Sequence, residues 1–202
     1  MAFITNIMQD PNDTSGEKIE DKILQTNPIL ESFGNANTIK NDDSSRFGKY
    51  FTMIVDMEQK IIVGANITSY LLEKSRINYQ AKNERNYHVF YAFTQHCTPE
   101  DRAKYKLNNN GDKCDLSLYK FTKMSGRYTN PMVDDKKLLK GIEDVFVLFK
   151  FTEDERDIVW QMVSATLNIG NIEVTTTEKD PLSRSTRCEI TRDQYFDNAV
   201  AL

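Results

Sequence analysis

Two short runs, Tyr50–Val55 and Lys60–Ala65, constrain the fold of this chain more than any other feature. Each is rich in β-branched or aromatic residues, and only Asp56–Gln59 separates them. Runs of this kind read as two strands joined by a tight turn. Neither alternates cleanly between apolar and polar, so the pair is expected inside a sheet covered on both faces. Just before the first strand lies Asn41–Lys49, N-D-D-S-S-R-F-G-K, which is polar, rich in hydroxyls and punctuated by glycine. Loops that feed strands often handle ligands, because a rigid sheet aims a short segment. A serine hydroxyl is a hard oxygen ligand suited to Mg²⁺. A neighbouring serine can hold a water, and an arginine fork can grip a carboxylate. Taken alone, Ser44-Ser45-Arg46 is weak evidence and reads first as a solvated turn.

The rest of the chain supplies helices around this pair. Glu17–Thr26 reads as a helix with Ile19, Ile23 and Leu24 on one face. Asn27-Pro28 reads as a restart, with Asn27 as cap and Pro28 in the first turn. Ile29, Leu30 and Phe33 form its buried side, and Gly34 its stop. Ser69–Glu73 continues the second strand run. The aromatic cluster Tyr87–Phe93 predicts a buried helix, in which His88 is a hydrogen-bonded packing residue rather than a base. Thr98-Pro99-Glu100-Asp101 marks another helix start. Lys106–Lys113, with its N-N-N-G-D run, predicts a loop. After Asp134 and Asp135, Leu138, Leu139, Ile142, Val145, Phe146 and Phe149 repeat at helical spacing. Thr152 and Glu155 form a capping box for a helix with Ile158, Val159, Met162 and Val163 on one face, ending near Gly170. Glu173–Ile190 is a threonine-rich excursion between β-like ends, and the residues after Thr191 begin a further helix. Met1–Met8 reads as the tail of a helix and Gln9–Gly16 as a loop.

Composition excludes several classes. A hydrophobic share of 39% with 28% charged residues is that of a globular chain, not a disordered one. At 202 residues it can form one domain or part of a larger one. A net charge of −4 offers no broad basic field for nucleic acid. No apolar run approaches the roughly 18 residues of a membrane span, and the start shows no signal peptide. Cys97, Cys114 and Cys188 are widely spaced without a C-x-x-C, which predicts reduced thiols in the cytosol. His96 beside Cys97 lacks the partners of a metal site.

Several blocks recur in an order that is informative together. They are N-P-I-L-E-S-F-G-N-A-N-T-I-K (Asn27–Lys40), the Asn41–Lys49 loop, G-A-N-I-T-S-Y-L-L-E-K-S-R (Gly64–Arg76), E-R-N-Y-H-V-F-Y (Glu84–Tyr91), E-D-E-R-D-I-V-W and L-N-I-G-N-I-E-V ending at Val174. In this order and spacing the chain, from about Glu17 to Val174, resembles the myosin motor domain, with Asn41–Lys49 similar to its switch I loop. Kinesin motors share Ser-Ser-Arg, but there Ser-His follows, whereas Phe47 and Gly48 follow here. The resemblance implies an α/β fragment of a P-loop NTPase motor domain, part of a twisted mixed sheet flanked by helices. Residues 1–202 would carry switch I, the hairpin called the transducer and helices of the upper cleft subdomain.

The resemblance also implies roles. Asn41 would contact the phosphates of ATP, Ser44 would position the attacking water, and Ser45 would ligate Mg²⁺. Arg46 would pair with a glutamate of switch II and close the pocket. Partners would be the actin filament and the remainder of the heavy chain, at the cytoplasmic actin cytoskeleton. The polar stretch Glu173–Ile190, with Lys179, Arg184 and Arg187, corresponds to a surface loop near actin or to an ordinary solvated hairpin. Three positions depart from the family pattern: Asp43 stands for the usual Asn, Asn37 for a Lys, and Asn168 for a His. The first two make the local field less favourable to a polyphosphate. The sequence contains no G-x-x-x-x-G-K-[ST] and no D-x-x-G-F-E. It therefore reads as starting just after the P-loop helix. The alternative is a non-catalytic remnant serving as a binding module.

Overall fold

The computed structural model describes residues 19–110, 113–179 and 186–202. The readings of Met1–Met8 and Gln9–Gly16 lie outside these residues, as does Arg184. Helix α1 (Ile19–Gln25) is followed at once by α2 (Asn27–Gly34). Asn27 is not the cap expected of it. Thr26 stands at the cap position, makes no side-chain cap bond, and donates its hydroxyl back to the Ile23 carbonyl at 2.7 Å. Asn27 Oδ1 instead accepts from Lys49 Nζ at 2.9 Å, which ties the helix to the first long strand.

After α2 the chain enters β1 (Asn35–Ala36), which pairs antiparallel with β2 (Ser44–Ser45). Strands β3 (Gly48–Asp56) and β4 (Ile61–Tyr70) form the expected hairpin, with Gly48 opposite Tyr70 and a register shift between Ile54 and Val55. The turn is held by Asp56 Oδ1, which accepts from the amides of Glu58 and Gln59 at 2.8 and 3.0 Å. Lys60 takes up the left-handed backbone that closes it, with φ at 56°.

The expected mixed sheet does not form. Among the described residues every sheet is a two-stranded antiparallel pair. Tight turns can join only antiparallel neighbours, and a parallel neighbour needs a long crossover. No segment described here crosses back beside β3 or β4. Tyr50, Ile54, Val63 and Tyr70 are therefore exposed, whereas the face carrying Phe51, Met53, Val55 and the buried Ile62 is partly covered, with α1 against β4, so one face and not both is covered.

The core lies in the helical half. Helix α3 (His88–His96) is buried from His88 through Thr94. Next come α4 (Pro99–Lys104), opened by a Thr98–Asp101 capping box, and a small pairing of β5 (Asn109–Asn110) with β6 (Lys113–Cys114) where only a loop was expected. A 3-10 turn at Leu116–Leu118 leads to α5 (Lys120–Lys123). Helix α6 (Asp135–Leu148) is capped by Asp134, whose Oδ1 accepts from the amides of Lys136 and Lys137. Helix α7 (Glu153–Asn171) opens on the expected Thr152–Glu155 box. Strands β7 (Val174–Lys179) and β8 (Thr186–Ile190) pair antiparallel, and α8 (Gln194–Ala201) follows.

Aromatic rings join these helices. Phe93 stacks on Trp160 with centroids 4.4 Å apart, and Phe146 meets the same indole edge-on at 5.8 Å. Trp160 Nε1 donates to Glu143 Oε1 at 3.1 Å, which satisfies its one polar atom. The indole fixes the rotation of α7. Its buried stripe is Trp160, Val163, Ser164 and Leu167, the i, i+3, i+4, i+7 spacing of one helical face. Ile158 and Met162, expected inside, are 53% and 66% exposed. The stripe was hidden because it includes Ser164, whose hydroxyl donates to the buried Tyr105 carbonyl.

A buried ion pair pins α6 to the segment before α3. Arg85 is 0% exposed, and its Nη2 donates to Asp135 Oδ2 at 2.7 Å. The guanidinium also lies 3.9 Å from the centroid of the Tyr91 ring. Cys97 and Cys114 are buried free thiols, and Cys188 is exposed. Burial pushes the Cys97 thiol up to about 12 and the Cys114 thiol up to about 11.

The orientation of α7 is open to direct test. Leu167→Ala is expected to cost about 2–5 kcal/mol of stability, because it opens a cavity in a closed core. Met162→Ala should change stability by less than about 0.5 kcal/mol, as for other exposed sites. Urea denaturation of both variants checks this, and equal losses would mean that α7 is rotated.

Candidate functional site

The loop between α2 and β3 is closed by main-chain bonds at its base. The β1–β2 pairing sets Ala36 opposite Ser44 and Asn35 opposite Ser45. Arg46 N donates to the Gly34 carbonyl at 2.8 Å, and Thr38 N donates to the Asn41 carbonyl at 2.9 Å. Phe47 then folds over the end of α2. A Cβ added at Gly34 would lie 2.3 Å from two carbons of the Phe47 ring. The helix ends at Gly34 as the sequence implied, and this close approach is a further reason for glycine there.

The four residues singled out in the sequence all lie on this loop, each with a defined partner. Asn41 Oδ1 accepts from the Asp43 amide at 3.0 Å. Ser44 Oγ accepts from Arg46 Nη1 at 3.2 Å. Ser45 Oγ donates to the Phe47 carbonyl at 3.0 Å. Arg46 Nε donates to Glu73 Oε2 at 2.6 Å.

Both aspartates are anchored to the protein beneath. Asp42 Oδ1 accepts from Asn37 Nδ2 at 2.6 Å and from Arg127 Nη2 at 3.0 Å, and Asn130 Nδ2 donates to the Asp42 carbonyl at 2.6 Å. Asp43 Oδ1 accepts from Asn35 Nδ2 at 2.9 Å and lies 3.2 Å from His88 Nε2. His88 is 1% exposed. Burial, then the charge of Arg85, pull its pKa below the ordinary histidine value, while Asp43 pushes the other way. The ring is thus a neutral donor to a carboxylate, consistent with the packing role expected for it.

Sequence reasoning missed several of these residues. Glu73 is the most consequential, because it takes the arginine fork. Against the desolvation that burial imposes, the Arg46 and Arg76 guanidiniums hold its carboxyl below the ordinary range. Arg127 and Asn130 carried no signal, since their partner Asp42 is 85 and 88 residues away, whereas Asn35 lies only eight residues from Asp43. Among the described residues no group of three His, Cys, Asp or Glu side chains could hold a metal ion, and no helix is long and apolar enough to cross a membrane.

Comparison with known proteins decides the family. Residues 1–195 match the myosin head (motor domain). The chain belongs to the myosin motor-domain family. It is 40% identical to human unconventional myosin-Vc over 161 residues, 80% of this chain and 9% of that protein. It is 39% identical to myosin-51 of Schizosaccharomyces pombe over 181 residues, 89% of this chain and 12% of the relative. Myosin-2 of Saccharomyces cerevisiae is 40% identical over 185 residues, 89% and 11% of the two chains. The chain thus spans about a tenth of the length of these myosins. Asn37 and Asp43, read above as departures from the family pattern, both make side-chain hydrogen bonds, Asn37 to Asp42 and Asp43 to Asn35.

Two outcomes test this account of the loop. Gly34→Ala forces the Phe47 ring aside and is expected to cost about 1–3 kcal/mol, as overpacking does. Adding Phe47→Ala should recover part of that loss in urea denaturation, and an additive double variant would refute the contact. For His88 the folded pKa lies below the unfolded value of about 6.5, so unfolding takes up a proton. Its contribution is complete above that value and is lost as pH falls through and below it. Melts from pH 8 to pH 5 should show stability falling toward acid, with a shallower fall in His88→Gln.

Proposed function

We propose that this chain is the switch-I-bearing part of an actin-based myosin motor, which couples Mg-ATP hydrolysis to movement along actin filaments. The observation that carries the reading is the arrangement of Ser44, Ser45 and Arg46 on one loop pinned at both ends. Ser45 turns its hydroxyl proton to the Phe47 carbonyl, which leaves the Oγ lone pairs for a hard cation. Ser44 Oγ accepts from Arg46, so its own proton is free to hold a water. Arg127 offsets the negative charge of Asp42 beside a polyphosphate, while Asn37, Asn35 and His88 fix the direction of the two carboxylates. These residues fit the ligand set that Mg-ATP requires from a switch loop.

On this reading Asn41 contacts the phosphates, Ser45 supplies one ligand to Mg²⁺, Ser44 orients the attacking water, and Arg46 grips a glutamate of switch II. Mg²⁺, for which Ser45 would supply a ligand, would provide positive charge against the charge that develops in phosphoryl transfer. The loop's own contribution is positioning, which dominates this class of reaction. A P-loop and a switch II come from the rest of a heavy chain, and they are the immediate partners of this segment. The place of action is the cytoplasmic actin cytoskeleton, and the exposed β3–β4 hairpin is then one element of a larger twisted sheet.

The test uses a motor domain in which this segment stands with a P-loop and switch II. Arg46→Glu should lower single-turnover ATP hydrolysis by more than about a hundredfold, the kinetic equivalent of breaking a partly buried charge pair. Reversing the switch II glutamate to arginine in the same chain should restore part of the rate, the rest being lost because Glu73 then faces a like charge at residue 46. A double swap that recovers nothing would refute the grip assigned to Arg46.

A further inference from the structure

Arg46 is already engaged within this chain. Its Nε donates to Glu73 Oε2 at 2.6 Å, and one hydrogen of Nη1 goes to Ser44. Glu73 lies just beyond the end of β4, and the two residues are also joined by main chain, Glu73 N donating to the Arg46 carbonyl at 3.0 Å. Tyr87 Oη donates to the Glu73 carbonyl at 2.7 Å, so the backbone carrying the carboxylate is held from a third side.

Beyond Glu73 the charges continue in a chain. Glu73 Oε2 accepts from Arg76 Nε at 2.7 Å, and Arg76 Nη1 donates to Glu84 Oε2 at 2.9 Å. Glu84 Oε1 accepts from the Ile39 amide at 3.3 Å. The run therefore starts at Ser44 and ends at Ile39, two points within the same loop. Arg76 is 5% exposed and also donates to the Arg85 carbonyl, so the middle of the run is fixed by packing. Arg46 and Glu73 are both partly exposed, whereas Arg76 and Glu84 are more enclosed. Glu73 takes Nε alone. Among the described residues nothing engages Nη2, and one Nη1 hydrogen is also unused. A guanidinium carries donors on two edges, so it can serve two carboxylates at once.

We propose that Glu73 is a positioning residue for Arg46, holding the guanidinium by Nε and presenting its Nη1–Nη2 edge to a second carboxylate. Arg46 then bridges two carboxylates instead of exchanging one for the other. The identity of the second carboxylate rests on the switch reading above, whereas the Glu73 contact does not. The role differs from plain structural support in that it fixes one edge of the fork and leaves the other open. Glu73→Gln keeps the shape and an acceptor oxygen but removes the charge, so it isolates that role.

Two measurements decide it. In the isotopically labelled chain, the Arg46 Nε–H signal, assigned by its loss in Arg46→Lys, should exchange with water about tenfold faster in Glu73→Gln, while amides of α7 stay protected. If Glu73→Gln does not fold, the Glu73 carboxyl carbon signal of the wild-type chain is compared with that of Arg46→Lys, where a shift is expected. In a motor domain containing the segment, Glu73→Gln should slow single-turnover hydrolysis about tenfold, the kinetic equivalent of one charge-assisted hydrogen bond, with ATP affinity changed less than about twofold. An Arg46 signal indifferent to residue 73, or an unchanged rate, overturns the proposal. The charge swap between Arg46 and switch II is scored separately, so the switch reading can stand when the Glu73 role falls.

Discussion

A guanidinium shut away from water organises this structure. Charging a buried group carries a penalty of several kcal/mol, and removing one member of such a pair costs about 3–5 kcal/mol. Arg85 is held by Asp135 and by the face of Tyr91, and its own amide donates to the Asn37 carbonyl at 2.9 Å. It thereby joins the start of α6, the interior of α3 and the root of the loop. Its neighbours extend the same junction. Asn86 Nδ2 donates to the carbonyls of Ile77 and Phe121, Tyr87 reaches Glu73, and His88 reaches Asp43. The run Glu84–His88 sends its side chains to the loop, to the Lys74–Ile77 turn and the residue before it, to α5 and to the start of α6. The loop's geometry is consequently set largely by the helical core, with the segment after the hairpin holding Arg46 at its far end.

That division explains what was legible in the sequence. Capping is local, and the Thr98–Asp101 and Thr152–Glu155 boxes and the Asp134 cap were readable from a few adjacent residues. The hairpin was legible for the same reason, since its turn chemistry lies between its strands. The inward face of α7 was not, because Ser164 and Asn168 are polar residues satisfied in the core by Tyr105 and by one another. A rule that places only apolar residues inside moves the stripe to Ile158 and Met162. Asn27 failed as a cap for a tertiary reason: Lys49 claims its side-chain oxygen.

The loop shows the same limit at finer scale. Asn41, Ser44, Ser45 and Arg46 could be picked out because their chemistry is adjacent in sequence. The groups that aim them could not. Glu73 is 27 residues from Arg46, His88 is 45 from Asp43, and Arg127 is 85 from Asp42. Reading Asp43 from its charge alone suggested a residue hostile to phosphate. Its partners show a carboxylate occupied with a neutral imidazole and an amide, whose field is partly spent on the protein itself.

The cysteines carry a practical consequence. A thiol reacts as its thiolate, and burial holds Cys97 and Cys114 almost wholly protonated at neutral pH. Cys188 is exposed on β8. A maleimide dye or nitroxide label added to the native protein would therefore attach at one place, on the threonine-rich hairpin. That gives the chain a single spectroscopic handle without any engineered cysteine. A label appearing on Cys97 or Cys114 would in turn time the opening of the aromatic core around Phe93 and Trp160.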